Sequence, residues 1–192
     1  MRVGAFTLIT PLPNIRRLRV FLRRGGVIAY ATESCYGLGC DPTNRHAVLR
    51  ILKLKGRPQS KGLILIGADI RQFARYLAPV SGELIARLHE WWPGPNTLLL
   101  PASKRCPRWL SGDHDTLAVR VTAHRETARL CRALDMALVS TSANRAGQSA
   151  IKDAGTCDKT FGDRVLTLAG RIGRRKRPSR IIEPVSGKTF RL

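Results

Sequence analysis

The chain has 192 residues, which allows one ordinary domain or at most two small ones. Hydrophobic residues make up 43% of it and charged residues 24%, which excludes a disordered chain and a disulfide-rich scaffold. The 34 Lys and Arg residues against 13 Asp and Glu residues leave a net charge of +21, so we expect a polyanionic partner, or else a merely solvated basic surface.

Hydrophobic periodicity predicts helices and strands that alternate along the chain. The predicted elements of the first half are a helix over 15–24, a strand over 27–30, a polar loop over 32–37, a helix over 44–54, a polar loop over 55–62 and a strand over 63–66. Those of the second half are helices over 69–77 and 81–92, strands over 97–100 and 117–121, a helix over 126–134, a strand over 137–139 and late strands over 165–168 and 180–182.

This interleaving predicts an α/β architecture. The segment 145–163 is rich in Gly, Ser, Thr and Lys, and no element is predicted there. The sequence shows no internal repeat, linker or low-complexity tract, so we expect residues 1–192 to form a single domain.

The cysteines and histidines indicate neither a disulfide framework nor a metal site. No two of the five cysteines form a CxxC pair, and the four histidines share no ligand spacing, so we expect buried thiols, a reducing compartment and no metal ligand. No apolar run approaches the roughly 18 residues that a membrane span requires. We therefore expect a cytoplasmic protein without a membrane partner.

A basic loop is the first candidate binding site. Lys55, Arg57 and Lys61 lie within seven residues between a predicted helix and a strand, and the glycines among them allow close approach of backbone to a ligand. The GxxxxGK[ST] phosphate loop is absent, and the dinucleotide fingerprint is incomplete. The loop therefore suits a triphosphate in a different kind of site, and a solvated basic loop is the alternative.

Polar side chains follow two of the predicted strands. Ser140, Ser142 and Asn144 stand at the end of the strand over 137–139, and Thr32 and Glu33 follow the strand over 27–30. Ligands of open α/β sheets bind at strand ends, so we expect these two clusters to meet in one crevice. The alternative is that these residues only form turns that end the strands.

At these residues the sequence resembles the YrdC/Sua5 family of threonylcarbamoyl-AMP synthases, in its short bacterial form. The matching motifs, in chain order, are Thr32-Glu33-Ser34-Cys35-Tyr36-Gly37-Leu38-Gly39, Lys55-Gly56-Arg57-Pro58 with Lys61, Trp92-Pro93-Gly94-Pro95-Asn96-Thr97, Ala118-Val119-Arg120, Ser142-Ala143-Asn144 and Pro178-Ser179. Ser34, Gly62 and Arg180 depart from the family pattern, in which Thr, Pro and Thr are usual. The motifs span nearly the whole chain.

The resemblance implies an open twisted mixed sheet flanked by helices, with a basic concave crevice. It also implies that L-threonine, bicarbonate or CO2, and ATP are joined into threonylcarbamoyl-adenylate and pyrophosphate, for the t6A modification at position 37 of tRNA. Attack of a carbamate on the α-phosphorus brings two anions together, so it needs positioning and charge neutralisation more than a protein nucleophile.

The resemblance also implies the roles of the site residues. Those implied for ATP are Lys55 and Arg57 at the triphosphate, with Ser140, Ser142 and Asn144 as hydrogen-bonding groups. Those implied for threonine are Arg120 at the carboxylate, with Thr32, Lys61 and Ser179 in the pocket. Glu33 either positions substrate or pairs with a neighbouring cation. Mg²⁺ is expected only in company with ATP, because no carboxylate cluster marks a site for it.

The run Arg174-Arg175-Lys176-Arg177 predicts contact with tRNA or another RNA, or else a segment that closes over the nucleotide. A t6A transferase complex that receives the adenylate is implied as a further partner. A non-catalytic RNA-binding or ribosome-assembly protein is the rival interpretation. It leaves the polar strand ends unexplained, and the aromatic content of 6% is low for a protein that stacks RNA bases.

Overall fold

A computed structural model describes residues 6–7 and 13–191 of the chain. The helices of this part are α1 (Pro13–Arg23), α2 (Arg45–Lys55), α3 (Gly82–Arg87), α4 (Arg108–Ser111), α5 (Arg125–Leu134) and α6 (Ala154–Phe161). The strands are β1 (Phe6–Thr7), β2 (Ile28–Ala31), β3 (Tyr36–Gly39), β4 (Ile64–Gly67), β5 (Asn96–Pro101), β6 (Thr116–Val121), β7 (Leu138–Ser142), β8 (Leu166–Ala169), β9 (Arg180–Ile182) and β10 (Thr189–Arg191). Short 3₁₀ turns lie at Gln59–Lys61, Ile70–Phe73, Leu88–Glu90 and Gly162–Arg164.

The strands form one mixed sheet in the order β1-β8-β2-β3-β7-β4-β6-β5-β9-β10. Neighbours run parallel at β1–β8, β8–β2, β4–β6 and β5–β9, and antiparallel at the other five pairs. Helices cover parts of both faces, which confirms the predicted α/β fold with an open mixed sheet.

The two faces of the sheet are covered unequally. Apolar side chains from α2, α3, α4 and α6 pack against one face in the larger core cluster. The other face is covered by α1 and α5, whose Leu22 and Leu130 pack in a smaller cluster with strand residues. Beyond these two helices, Ile64, Leu99 and Ala118 are neighbours in register and only half-buried. This part of the second face is therefore open to a ligand.

The open face is strongly curved. Glu33, which follows β2, forms an ion pair of 3.4 Å with Arg120 in β6, although β3, β7 and β4 lie between those strands. Four strand spacings in a flat sheet would separate β2 from β6 by roughly 19 Å. The sheet therefore curls so that its two halves approach each other across a concave face.

Several predicted elements differ from those in the structure. The loop predicted over 32–37 ends earlier, because β3 begins at Tyr36. Gly37 and Gly39 in this strand are residues typical of turns. A Cβ on Gly39 would lie 2.7 Å from both the Tyr30 ring and the Val139 carbonyl oxygen. Glycine is therefore required in this strand so that neighbouring groups can approach its backbone.

The predicted helix over 69–77 is instead the 3₁₀ turn Ile70–Phe73, because the chain after it bonds to the end of β5. The backbone N–H of Ala78 donates to the Pro101 carbonyl, and that of Ser103 donates to the Tyr76 carbonyl. The predicted helix over 81–92 is α3 followed by the 3₁₀ turn Leu88–Glu90, a common way for a helix to tighten at its end.

Segment 145–163, for which no element was predicted, contains α6. Asp153 caps this helix by accepting a hydrogen bond from the Thr156 N–H, and Cys157 and Phe161 are buried one turn apart. The first helix begins at Pro13, two residues before the prediction.

The cysteines only partly follow the prediction of five buried thiols. Cys40, Cys131 and Cys157 are buried, whereas Cys35 and Cys106 are half-buried. Among residues 6–7 and 13–191 no helix is long and apolar enough to cross a membrane.

Candidate functional site

The structure brings Lys55, Ser142 and Asn144 together at the end of β7. Lys55 is the last residue of α2, and its Nζ donates to the Ser142 carbonyl at 2.6 Å and to the Asn144 carbonyl and Oδ1 at 2.9 Å each. The Ser142 hydroxyl also donates to Asn144 Oδ1, at 2.6 Å. Gly56 ends α2 with φ of 62°, a left-handed conformation that suits glycine, and so turns the chain toward the basic loop.

Arg57 holds the basic loop in shape. Its Nε and Nη2 donate to the Gly62 carbonyl at 3.2 and 3.0 Å, and Nη2 also donates to the Lys61 carbonyl at 3.1 Å. Gly62 has φ of 58°, and a Cβ there would lie 2.8 Å from the Ser111 carbonyl oxygen. The loop is therefore ordered by its own arginine and by close packing against the end of α4. The side chain of Lys61 lies exposed at its far end.

The two cations of this cluster have neutral partners. Burial lowers the pKa of the Lys55 ammonium to about 8, and the neighbouring positive charge of Arg57 adds to the shift. Burial also lowers the pKa of the Arg57 guanidinium. The hydrogen bonds of both groups end on carbonyl and amide oxygens, which do not cancel a positive charge. The cluster therefore suits an anion.

Arg120 and Glu33 form a second polar cluster on the concave face. The Thr122 hydroxyl donates to Glu33 Oε1 at 2.6 Å, and Arg120 Nη2 lies 3.4 Å from Glu33 Oε2. The side chain of Arg120 is 9% exposed, and that of Glu33 is 13% exposed. The structure shows Glu33 paired with a neighbouring cation, which is one of its two interpretations. The other, positioning of substrate, concerns the ligand-bound site.

The remaining predicted residues lie around these clusters. The buried Thr32 hydroxyl donates to the Cys35 carbonyl at 2.7 Å. Ser179 Oγ lies 2.9 Å from Thr97 Oγ1. Leu98 of β5 pairs with Val119 of β6 in antiparallel register, so the preceding residue Thr97 lies opposite Arg120. Thus Ser179 lies on the Arg120 side of the face.

Strand register places Ser140, Ser142 and Arg120 on one face of the sheet. Ser140 pairs with Ile64, Ile64 pairs with Ala118, and Arg120 is two residues further along β6. Directly opposed residues share a face and alternate residues return to it, so Ser140, Ser142 and Arg120 all belong to the concave face. Ser140 lies beside Tyr30, and burial raises the pKa of that phenol.

Residues 170–179, which we call the basic connection, join β8 to β9. These two strands lie near opposite edges of the sheet. The backbone N–H groups of Gly173 and Arg175 donate to the carbonyls of Thr32 and Glu33, at 2.9 and 3.1 Å. The Tyr36 hydroxyl donates to the Gly170 carbonyl at 2.7 Å. The backbone of the connection is thereby bound to the end of β2. The side chains of Arg174, Lys176 and Arg177 are exposed, and that of Arg175 is half-buried.

The sequence did not predict a role for two residues that contact the site, Thr122 and Thr97. Thr122, the hydrogen-bond partner of Glu33, follows the strand over 117–121 in the same way that Thr32 follows β2, so the strand-end argument would have found it. Thr97, the partner of Ser179, lies within the motif over 92–97, and no role was predicted for it. Nothing in the sequence spacing indicates that Thr97 contacts a residue 82 positions later.

Comparison with known proteins gives consistent matches over most of the chain. The Sua5/YciO/YrdC family model, described as telomere recombination, matches residues 20–192. The threonylcarbamoyl-AMP synthase of Chromobacterium violaceum is 54% identical over 187 residues, which cover 94% of this chain and 97% of that protein. The protein of the same name from Methylobacillus flagellatus is 53% identical over 176 residues, covering 92% and 98%.

Solved structures match as well. P. abyssi Sua5 complexed with L-threonine superposes with a TM-score of 0.83 at 30% identity, covering 95% of this chain and 54% of that one. E. coli YciO superposes with a TM-score of 0.84 at 24% identity, covering 99% and 95%, which shows a shared fold.

Proposed function

The chain belongs to the Sua5/YciO/YrdC family, and we propose that it is a threonylcarbamoyl-AMP synthase. It joins L-threonine, bicarbonate or CO2, and ATP into threonylcarbamoyl-adenylate and pyrophosphate. Relatives that carry this name are similar to the chain over almost their full length, so the proposal covers the whole reaction. The adenylate serves the t6A modification of tRNA.

The observation that carries the proposal is the pair Lys55 and Arg57, two partly or fully buried cations whose hydrogen-bond partners are neutral. A buried charge without a counter-charge is unfavourable, and a bound anion relieves it. We assign this cluster to the triphosphate of ATP, with Ser140, Ser142 and Asn144 as the further polar groups. Charge neutralisation there favours attack of the carbamate oxygen on the α-phosphorus and departure of pyrophosphate.

The threonine side of the site lies around Arg120. L-threonine is bound in the P. abyssi Sua5 structure, and we assign the same ligand to Arg120, Thr32, Lys61 and Ser179 of this chain. A guanidinium matches a carboxylate with two parallel hydrogen bonds. The Ser179–Thr97 contact next to Arg120 supports a hydroxyl-reading pocket there.

We propose that Mg²⁺ binds together with ATP and not at a site of its own. Within residues 6–7 and 13–191 no group of three or more His, Cys, Asp and Glu side chains could hold a metal ion. The groups around Lys55 are cationic or neutral, and they do not fit a resident cation. We therefore assign Mg²⁺ no protein ligand and derive no step from it.

The wider setting follows from the same site. We propose that residues 1–192 act as one domain, because a continuous sheet carries both clusters, and that the concave face is a basic crevice that holds ATP and threonine side by side. The exposed cations of the basic connection are assigned to tRNA. The enzyme works in the cytoplasm and passes its adenylate to a t6A transferase complex.

The decisive experiment is pyrophosphate release by the purified protein with ATP, L-threonine and bicarbonate, omitting each in turn. We expect release only when all three are present. An unchanged rate without threonine would show an ATP pyrophosphatase instead of a synthase.

A further inference from the structure

The side chains of Glu33 and Arg120, which form an ion pair on the concave face, each have a buried polar atom that makes no hydrogen bond. Of the four buried side-chain atoms without such a partner among the described residues, two are Glu33 Oε2 and Arg120 Nε. Leaving a buried donor or acceptor unsatisfied is costly, and such groups in a binding crevice call for an explanation.

Glu33 is held in place by atoms that do not contact Arg120. Its Oε1 accepts from the Thr122 hydroxyl at 2.6 Å, and its backbone carbonyl accepts from the Arg175 N–H at 3.1 Å. Arg120 Nη2, at 3.4 Å from Oε2, is close enough for attraction between charges, but no hydrogen bond is formed. The guanidinium can therefore turn to another carboxylate without breaking a hydrogen bond to Glu33.

A free amino acid presents complementary groups to this pair. It carries a carboxylate and an ammonium on the same carbon, and an arginine fork suits the first while a carboxylate oxygen accepts from the second. We propose that Glu33 binds the α-amine of the amino acid substrate while Arg120 binds its carboxylate. This inference rests on the proposed synthase function and makes Glu33 a specificity-determining residue of that site.

Carboxylation of the amine weakens its contact with Glu33, while the carboxylate stays bound to Arg120. The ammonium gives one proton to water, and its nitrogen forms a bond to the carbon of CO2 as the electron pair of one C=O bond moves to oxygen. The nitrogen then gives a second proton to water, so that a carbamate anion replaces the cation. Glu33 attracts the ammonium and repels the carbamate, whereas Lys55 and Arg57 attract the carbamate. The change in charge therefore favours the geometry needed for attack on phosphorus.

The test compares L-threonine with (R)-3-hydroxybutyrate, which lacks only the α-amine. We measure both affinities by calorimetry in the presence of ATP, for the wild-type protein, Glu33→Gln and the matched control Glu126→Gln. Glu126 also binds the basic connection, through the Arg171 N–H at 3.1 Å. We expect the wild-type protein and the control to prefer threonine by about ten-fold or more, the effect of one charge-assisted hydrogen bond. In Glu33→Gln we expect that preference to fall by the same factor, while (R)-3-hydroxybutyrate binds as before.

Other outcomes overturn the inference in distinguishable ways. Equal weakening of both ligands in Glu33→Gln would mean that Glu33 only holds Arg120. Equal affinity of the wild-type protein for both ligands would overturn the inference even if the variant failed to fold. Absence of threonine binding to the wild-type protein would overturn the proposed function, and this inference with it.

Discussion

Arg57 contacts two carbonyl groups of its own loop, so its planar guanidinium has a conformational role as well as a positive charge. Lysine keeps the charge but offers a flexible ammonium that does not reproduce the arginine fork. The two functions of Arg57 can therefore be separated by a substitution that preserves charge.

We expect Arg57→Lys to reduce kcat/KM for ATP by about ten-fold to more than a hundred-fold, because a charge-assisted contact contributes roughly 1.5–3 kcal/mol. Pyrophosphate release gives the measurement. Arg23→Lys, an exposed position in the last turn of α1, is the control and should leave the rate unchanged. Near wild-type kcat/KM in Arg57→Lys would mean that the arginine fork makes no contact with the triphosphate.

Lys55 gives the site a pH dependence. Its pKa is lowered to about 8, and an ammonium is charged below its pKa and neutral above it. We expect ATP affinity, measured by calorimetry without threonine, to fall by about two-fold from pH 7 to pH 8 and then by up to about ten-fold per pH unit. A constant affinity up to pH 9.5 would contradict the role of Lys55 as a phosphate-binding cation.

At the scale of elements, the backbone of the basic connection contacts the sheet, whereas most of its charged side chains point to solvent. Its N–H groups bind the end of β2, whereas Arg174, Lys176 and Arg177 are exposed. The backbone contacts do not require those three side chains. Loss of their charge should therefore leave the connection in place.

We expect replacement of Arg174, Lys176 and Arg177 by Ser to lower the slope of log tRNA affinity against log salt by about 2–3, since each phosphate contact contributes about 0.7–0.9. Most of the synthase activity should remain. Replacement of the exposed Arg16, Arg17 and Arg24 by Ser removes equal charge and should change the slope less. Joint loss of tRNA binding and synthase activity in a folded variant would mean that the connection serves the ATP site.

The elements show where sequence patterns are sufficient. The strand over 63–66 and the helix over 126–134 were predicted to within about one residue, because apolar periodicity reflects a buried face directly. β3 was missed because Gly37 and Gly39 are typical of turns. The reason for glycine at position 39 is a close contact with Tyr30, which only the fold reveals.

The sequence predicted which residues lie near one another at the site better than it predicted the distances and contacts between them. Lys55, Ser142 and Asn144 were expected near one another and do lie together. The contact of Glu33 with Arg120 depends on curvature of the sheet across three intervening strands, and no local pattern encodes that curvature. Long-range geometry of this kind therefore had to come from the structure.

At the scale of the whole molecule, ligand binding should raise the melting temperature, because a ligand stabilises only the state that binds it. At about 100 times its Kd, ATP contributes roughly 2.7 kcal/mol, or about 5–10 °C for a chain of this length. A thermal melt with and without ATP gives the measurement. A non-catalytic RNA-binding protein would show no such shift.

The strand order also constrains when the crevice forms during synthesis. β8 pairs with β2 on one side of the sheet, and β9 pairs with β5 near the other. Until residues 166–182 have left the ribosome, β2 and β5 each present an unpaired edge, and such edges pair readily with other chains. Pairings so distant in sequence also slow folding. The residues up to at least 179 must therefore be synthesised before Thr32 and Ser179 can lie around one ligand, and a growing chain that stalls earlier is prone to aggregate.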